Sequence, residues 1–163
     1  MSGLILGIDP GISGAIAAVD AHGRLLWVED MPVRDSGKQS RKQHEVDGAA
    51  LGRLLRLHVM DIDRACVESV HAMPAQGVSS MFSMGETCGV IRGVLEALCV
   101  PVVRVQPMAW KRAYGLLKAS KDQSRAEAIR LFPASGDFGR KRDHGRAEAA
   151  LIARWSATEM GRG

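Results

Sequence analysis

The chain has 163 residues and is 46% apolar, which suits one globular domain over 1–163 with a sizeable core and argues against a disordered protein or a second full domain. Lys and Arg outnumber Asp and Glu by 22 to 18, a net charge of +4, and that excess favours a polyanionic partner. No apolar run approaches the roughly 18 residues that a membrane-spanning helix needs, which excludes a helical membrane protein.

In chain order, Met1-Ser2-Gly3 leads into a strand rather than a charged leader. The expectation is therefore no targeting segment and a soluble protein of the cytoplasm or nucleoid in a phage or bacterial setting, or of an organelle in a eukaryote. Residues 4–9, 14–20 and 25–31 read as three strands, with turns at Pro10-Gly11 and at Ala21-His22-Gly23-Arg24, and together they form an antiparallel meander. The polar stretch 32–44 carries Arg34, Lys38, Arg41 and Lys42 and reads as a mobile basic loop. An amphipathic helix over 46–59 and a short apolar strand over 64–68 follow, the pattern of a crossover into a parallel strand beside the first. The loop 71–77 leads to a long helix over 78–98 and a strand over 102–105. Gly85, Gly89 and Gly93 recur along that helix at about 1 kcal/mol of lost propensity each, so they should mark a close approach, to the sheet rather than to another subunit.

From Pro107 onward the chain reads as helical and basic, with helices over 107–114, 121–132 and 144–159. Cys66, Cys88 and Cys99 are odd in number and lie in apolar surroundings, so they read as reduced core thiols. Trp27, Trp110 and Trp155 are assigned to the core or an interface.

Four acids stand out. Asp9 closes the run Leu4-Ile5-Leu6-Gly7-Ile8 and Glu68 closes Ala65-Cys66-Val67, and burying a carboxylate without a partner is costly. If the two strands are neighbours, about 4.8 Å apart, both carboxylates can serve one metal or bracket two. On the last helix His144, Glu148, Leu151, Ile152 and Trp155 share a face at 100° per residue, which puts Glu148 on the core side. Asp143 precedes that helix, where Asp is a favoured N-cap, and the cap and a metal-ligand role can coexist. His144 is open to three readings: ligand, proton donor, or an ordinary polar residue at a helix start. Clustered acids without evident basic partners suit a hard divalent cation, and hence metal-assisted phosphodiester chemistry.

Gly7-Ile8-Asp9-Pro10-Gly11, Val67-Glu68, the helix 77–93, Lys121-Asp122-Gln123 and Asp143-His144-Gly145-Arg146-Ala147-Glu148-Ala149 together resemble the RuvC-type Holliday junction resolvases of the RNase H-like superfamily, over nearly the whole chain. RuvC usually has an acid or histidine three residues before a final Asp. Gly145 stands at that spacing here, and the Asp-x4-Glu ending is similar to the phage and chloroplast variant. The resemblance implies an α/β fold, an RNase H-like mixed five-stranded sheet with helices on both faces, dimeric through its helical layer. It implies a structure-selective DNA endonuclease that nicks a four-way junction twice and leaves 5′-phosphate and 3′-hydroxyl ends. Mg²⁺ or Mn²⁺, two ions per site, would sit on Asp9, Glu68, Asp143 and Glu148, with His144 beside them. A branch-migration helicase is a candidate partner. Lys111 and Lys121 match DNA-contacting positions and Lys118 lies between them, although any one of the three alone also reads as a solvated lysine. His71 falls where the family carries an aromatic that stacks at the junction centre, and Met73 could act as a wedge. The rivals are a related nuclease acting on RNA–DNA hybrids or other branched DNA, and a non-catalytic junction-binding protein.

Overall fold

The computed structural model of the chain describes residues 3–37, 44–71 and 75–159. Its elements in chain order are β1 (Leu4–Asp9), β2 (Ala15–Val19), β3 (Leu25–Asp30), β4 (Val33–Asp35), β5 (His44–Val46), α1 (Gly48–Arg56), β6 (Ile62–Glu68), α2 (Val78–Ala97), β7 (Val102–Val105), α3 (Pro107–Ala113), α4 (Lys121–Leu131) and α5 (His144–Thr158). Among the described residues no helix is long and apolar enough to cross a membrane.

Five strands form one mixed sheet in the order β3-β2-β1-β6-β7. β1, β2 and β3 are the antiparallel meander, while β6 joins β1 in parallel and β7 joins β6 in parallel. Helices cover both faces, because side chains alternate sides along each strand. Ile5, Ala15, Ala17, Val19 and Cys66 pack under α5, α3 and α4. Leu6, Ile8, Ile16, Ala18 and Ala65 pack on the other face against α1 and α2. The parity places Asp9 with Ile5 and Gly7, and Glu68 with Cys66, on the α5 side. The register pairs Ile8 with Val67, so Asp9 and Glu68 follow one step on at the same end of the sheet.

α5 can lie close to β1 because it presents Ala147, Ala149, Ala150, Ala153 and Ala157, all buried. A Cβ on Gly7 would overlap the Ala149 carbonyl oxygen and the Ala153 backbone, so this glycine sets the helix–sheet spacing. Gly7→Ala is expected to cost stability at or above the upper end of the roughly 1–3 kcal/mol typical of overpacked cores. Urea denaturation measures it, and an unchanged midpoint would contradict the packing argument.

Helix ends follow local chemistry. Asp47 caps α1 by accepting from the Ala50 N–H, and Ser120 and Gln123 form a reciprocal capping box at α4. Cys66 is buried, which pushes its thiol up to about 11, whereas Cys88 is half-buried and Cys99 is exposed rather than in the core.

Two further expectations need correction. The stretch 32–44 is not wholly loop: β4 and β5 pair as a two-stranded ribbon, with Val33 opposite Val46, Arg34 ion-paired to Glu45 at 2.9 Å and His44 Nδ1 3.2 Å from Asp35 Oδ1. Three-residue strands are too short for period-2 alternation to reveal, and cross-strand pairs stabilise them. Lys38, Arg41 and Lys42 lie outside the described residues. The second correction is the glycine stripe of α2. Gly85, Gly89 and Gly93 are exposed, and a Cβ on any of them would meet nothing within 4 Å. α2 packs on the core through Thr87, Ile91 and Leu95, so its glycine face is turned away from the sheet.

Candidate active site

Asp9 ends β1, Glu68 ends β6 and Glu148 lies in the second turn of α5, and the three are within electrostatic reach of one another. Burial raises the Asp9 carboxyl well above its ordinary range, and the neighbouring Glu148 and Glu68 charges push it further, with Lys111 and Lys121 pulling the other way. Glu68 is also raised, first by burial and then by Glu148, against the hydrogen bond from Trp110 and the charge of Lys111. Asp9, Glu68 and Glu148 therefore form one mutually repelling group. No hydrogen-bond donor reaches the Asp9 carboxylate among the described residues.

The other two carboxylates of this group each have one neutral neighbour. The indole Nε1–H of Trp110 donates to Glu68 Oε1 at 2.8 Å. Ser124, buried on α4, brings its hydroxyl to 3.5 Å from Glu148 Oε1, at the outer limit of a hydrogen bond. Neither donor supplies a counter-charge. A cluster of carboxylate oxygens without a cation among its bonded partners is the donor set that a hard divalent ion satisfies. Among the described residues no three His, Cys, Asp or Glu side chains are gathered closely enough to hold a metal ion as they stand.

Asp143 is not brought into this group. Its carboxylate accepts from the Arg140 backbone N–H at 2.7 Å and from the Arg140 guanidinium at 2.8 and 3.0 Å. Burial alone would raise Asp143, but these bonds overcome it and hold its carboxyl below the ordinary range. Nor does its side chain cap α5, the role expected of it; it closes the preceding 3-10 turn over Lys141–Asp143. The sequence signal for a helix start was sound, but Arg140, three residues upstream, competes for the carboxylate.

His144 sits at the rim, with its Nε2 3.3 Å from the Lys121 ammonium, whose charge in turn reaches Asp9. Gly145 explains the departure in spacing at this helix start: a Cβ there would overlap the Ser13 carbonyl oxygen and crowd Gly14. The α5 N-terminus thus rests directly on the β1–β2 turn, and any side chain at 145 would lift it off.

Lys111 lies at the end of α3 with its Nζ 5.1 Å from the Trp110 ring centroid, and Lys121 opens α4. Lys118 is exposed in the connecting turn with φ of 63°. His71, exposed just beyond Glu68, bonds through Nε2 to Gln106 Oε1 at 2.9 Å. Met73 lies outside the described residues. Sequence reasoning missed Trp110 and Ser124 as carboxylate partners. A buried tryptophan must bond its N–H to something, and that signal was present, but the identity of the acceptor was not.

No family model matches the chain. It is 31% identical over 151 residues to the crossover junction endodeoxyribonuclease RuvC of Nitratidesulfovibrio vulgaris strain Hildenborough, an alignment that covers 91% of this chain and 87% of the relative; the protein of the same name from strain DP4 matches equally. Among solved structures, T. thermophilus RuvC in complex with a Holliday junction substrate superposes with a TM-score of 0.68 at 19% identity, over 98% of this chain and 96% of that one. The fowlpox virus resolvase bound to Holliday junction DNA reaches 0.53 at 15% identity, over 98% and 99%.

Proposed function

The chain belongs to the RuvC family of crossover junction endodeoxyribonucleases, and from that premise we propose that residues 1–163 form a single nuclease domain that resolves four-way DNA junctions. The observation that carries this reading is the repelling group Asp9, Glu68 and Glu148 flanked by Lys111 and Lys121. A protein that only binds junctions gains nothing from negative charge turned toward phosphates, whereas a metal-dependent nuclease requires it.

Asp9, Glu68 and Glu148 would hold divalent cations, Mg²⁺ or Mn²⁺, with two ions per site. Bound there, such ions lower the pKa of water and stabilise charge on the departing 3′ oxygen. The lysines supply what the carboxylates cannot. Lys111 and Lys121, whose charges reach Asp9, would draw the backbone of the cleaved strand past the negative cluster, and Lys118, exposed in the turn between their helices, would add to that charge. His144, on the same rim, would act on the proton of the attacking water or the leaving oxygen. His71, exposed three residues beyond Glu68, would stack at the junction centre in the place of the family's aromatic. Paired nicks would leave 5′-phosphate and 3′-hydroxyl ends, and a branch-migration helicase would be the natural partner.

Two symmetric nicks call for two active sites, and α2 offers the surface for a homodimer. Val78, Phe82, Gly85, Gly89 and Gly93 fall on one helical face, with Val78 79% and Phe82 68% exposed. Exposed apolar side chains beside glycines let a second helix come close. Phe82→Asp is expected to shift the sedimentation profile from dimer to monomer and to uncouple the two nicks. A dimer that survives the substitution would remove α2 from the interface.

The function itself is tested by incubating the protein with a synthetic four-way junction, a linear duplex and an RNA–DNA hybrid, each with Mg²⁺, Mn²⁺ or EDTA. Symmetric, metal-dependent nicks confined to the junction are expected. Equal cleavage of the hybrid, or junction binding without nicking in either metal, would overturn the reading.

A further inference from the structure

Trp110 is the largest fully buried side chain among the described residues, and its one polar atom is bonded to a residue of the site. The two residues are 42 apart in sequence, and the fold brings them together in a definite way. Glu68 pairs with Val105 across the β6–β7 ladder, and α3 begins only two residues after Val105, with Pro107 in its first turn. One turn later Trp110 enters the buried core cluster with Cys66, Val105 and Leu151, where close packing restricts the ring. From within that packed core its N–H donates to Glu68 Oε1 at 2.8 Å.

We infer that Trp110 is a positioning residue: it holds Glu68 by one carboxylate oxygen, Oε1, and leaves the other oxygen to a divalent cation. An arginine at this place would fix the carboxylate as well but would cancel its charge, as Arg140 does for Asp143. The indole donor is neutral, so Glu68 is oriented without a cation bonded to it. Ligating carboxylates depend on such outer partners, whose loss typically weakens metal affinity or activity about 10- to 100-fold. The next residue, Lys111, lies over the same ring, and its charge reaches both Asp9 and Glu68. Helix α3 therefore sets the ligand and the rim charge with two adjacent side chains.

A purely structural tryptophan would bond its N–H to whatever acceptor lay near, and its loss would reduce stability without touching the metal. Trp110→Phe keeps a ring and removes the N–H. Titrating Mn²⁺ alone by electron paramagnetic resonance, Trp110→Phe should bind it about 10- to 100-fold more weakly than wild type. Nicking should recover as Mn²⁺ is raised, and junction binding in EDTA should be unchanged. Trp155→Phe, on a half-buried ring of α5, should behave as wild type in each respect. Wild-type Mn²⁺ affinity in Trp110→Phe, or an equal loss in Trp155→Phe, would overturn the inference. Should Trp110→Phe fail to fold, the indole N–H resonances of Trp27, Trp110 and Trp155 give an independent reading. One of them should shift in Glu68→Gln, and the same one should move when Mg²⁺ is added to wild type. If none moves in Glu68→Gln, the inference is wrong. The inference rests on the nuclease reading. Wild-type protein that neither binds Mn²⁺ nor nicks a junction overturns both, while a normal wild type with an unaffected Trp110→Phe overturns this one alone.

Discussion

Asp9→Asn is expected to abolish metal-dependent nicking while making the metal-free protein more stable. Both effects trace to one carboxylate, which would hold the metal and which, with no cation there, burial and the charges of Glu148 and Glu68 raise well above its ordinary range. A carboxylate whose folded-state pKa is raised binds its proton more tightly in the folded chain. Its contribution to stability is fully present below the unfolded pKa and is lost as pH rises through the folded value. At neutral pH without a cation, Asp9 is therefore a net burden. Asn keeps the shape and removes the charge, so in EDTA the melting temperature should rise on the order of a few degrees, and the gap from wild type should close on acidification. Cleavage should fall by about 10²- to 10³-fold or more, the scale seen when a transition-state charge stabiliser is removed. Junction binding should persist or tighten, since a repulsive charge facing phosphates is gone. Nicking assays, gel shifts and thermal melts on one preparation check all three. Cleavage within about tenfold of wild type, or roughly 1.4 kcal/mol in barrier, would remove Asp9 from the site.

The second large effect separates the two acids around the α5 N-terminus. Glu148→Gln should be nearly inactive, with a loss of about 10²- to 10³-fold, and well folded, because Glu148 repels Asp9 and Glu68 and, among the described residues, its bonded partner is the Ser124 hydroxyl at 3.5 Å. Asp143→Asn should retain nicking within about tenfold of wild type. Its cost should appear in stability instead, since the Arg140 backbone N–H can still bond to Asn while the charge on the guanidinium pair is lost. The sign here is opposite to that of Asp9. Asp143 is held below its ordinary range, so its stabilisation is present above the unfolded pKa and disappears as pH falls through the folded value. The melting-temperature gap between Asp143→Asn and wild type should therefore shrink in acid. An inactive Asp143→Asn with normal stability would mean that Arg140 releases Asp143 to the metal when DNA is bound. His144→Ala distinguishes the remaining role: surviving activity with an altered pH profile fits a proton-handling residue, and complete loss fits a ligand.

The amino-acid order by itself determined the frame of this site. Apolar runs ending in Asp9 and Glu68 marked two strand ends, and the expected crossover made those strands neighbours, whereas the face that both acids share came from the sheet register and packing. Helix spacing placed Glu148 inward, and Asp143 marked the start of the last helix, because each of these signals is local. What only the tertiary structure decided were the choices among partners. Asp143 had both Arg140 and the acidic group within a plausible reach, and the nearby guanidinium satisfies a buried carboxylate that further acids can only repel. The face of Gly85, Gly89 and Gly93 was legible as small and apolar, yet Thr87, Ile91 and Leu95 won the contact with the core, because large side chains bury more surface than glycines can. Trp110 was legible as buried, but its acceptor is 42 residues away and depends on how β7 hands over to α3. Periodicity encodes the face on which a residue lies; which group it meets there is set by long-range packing, which no local pattern carries.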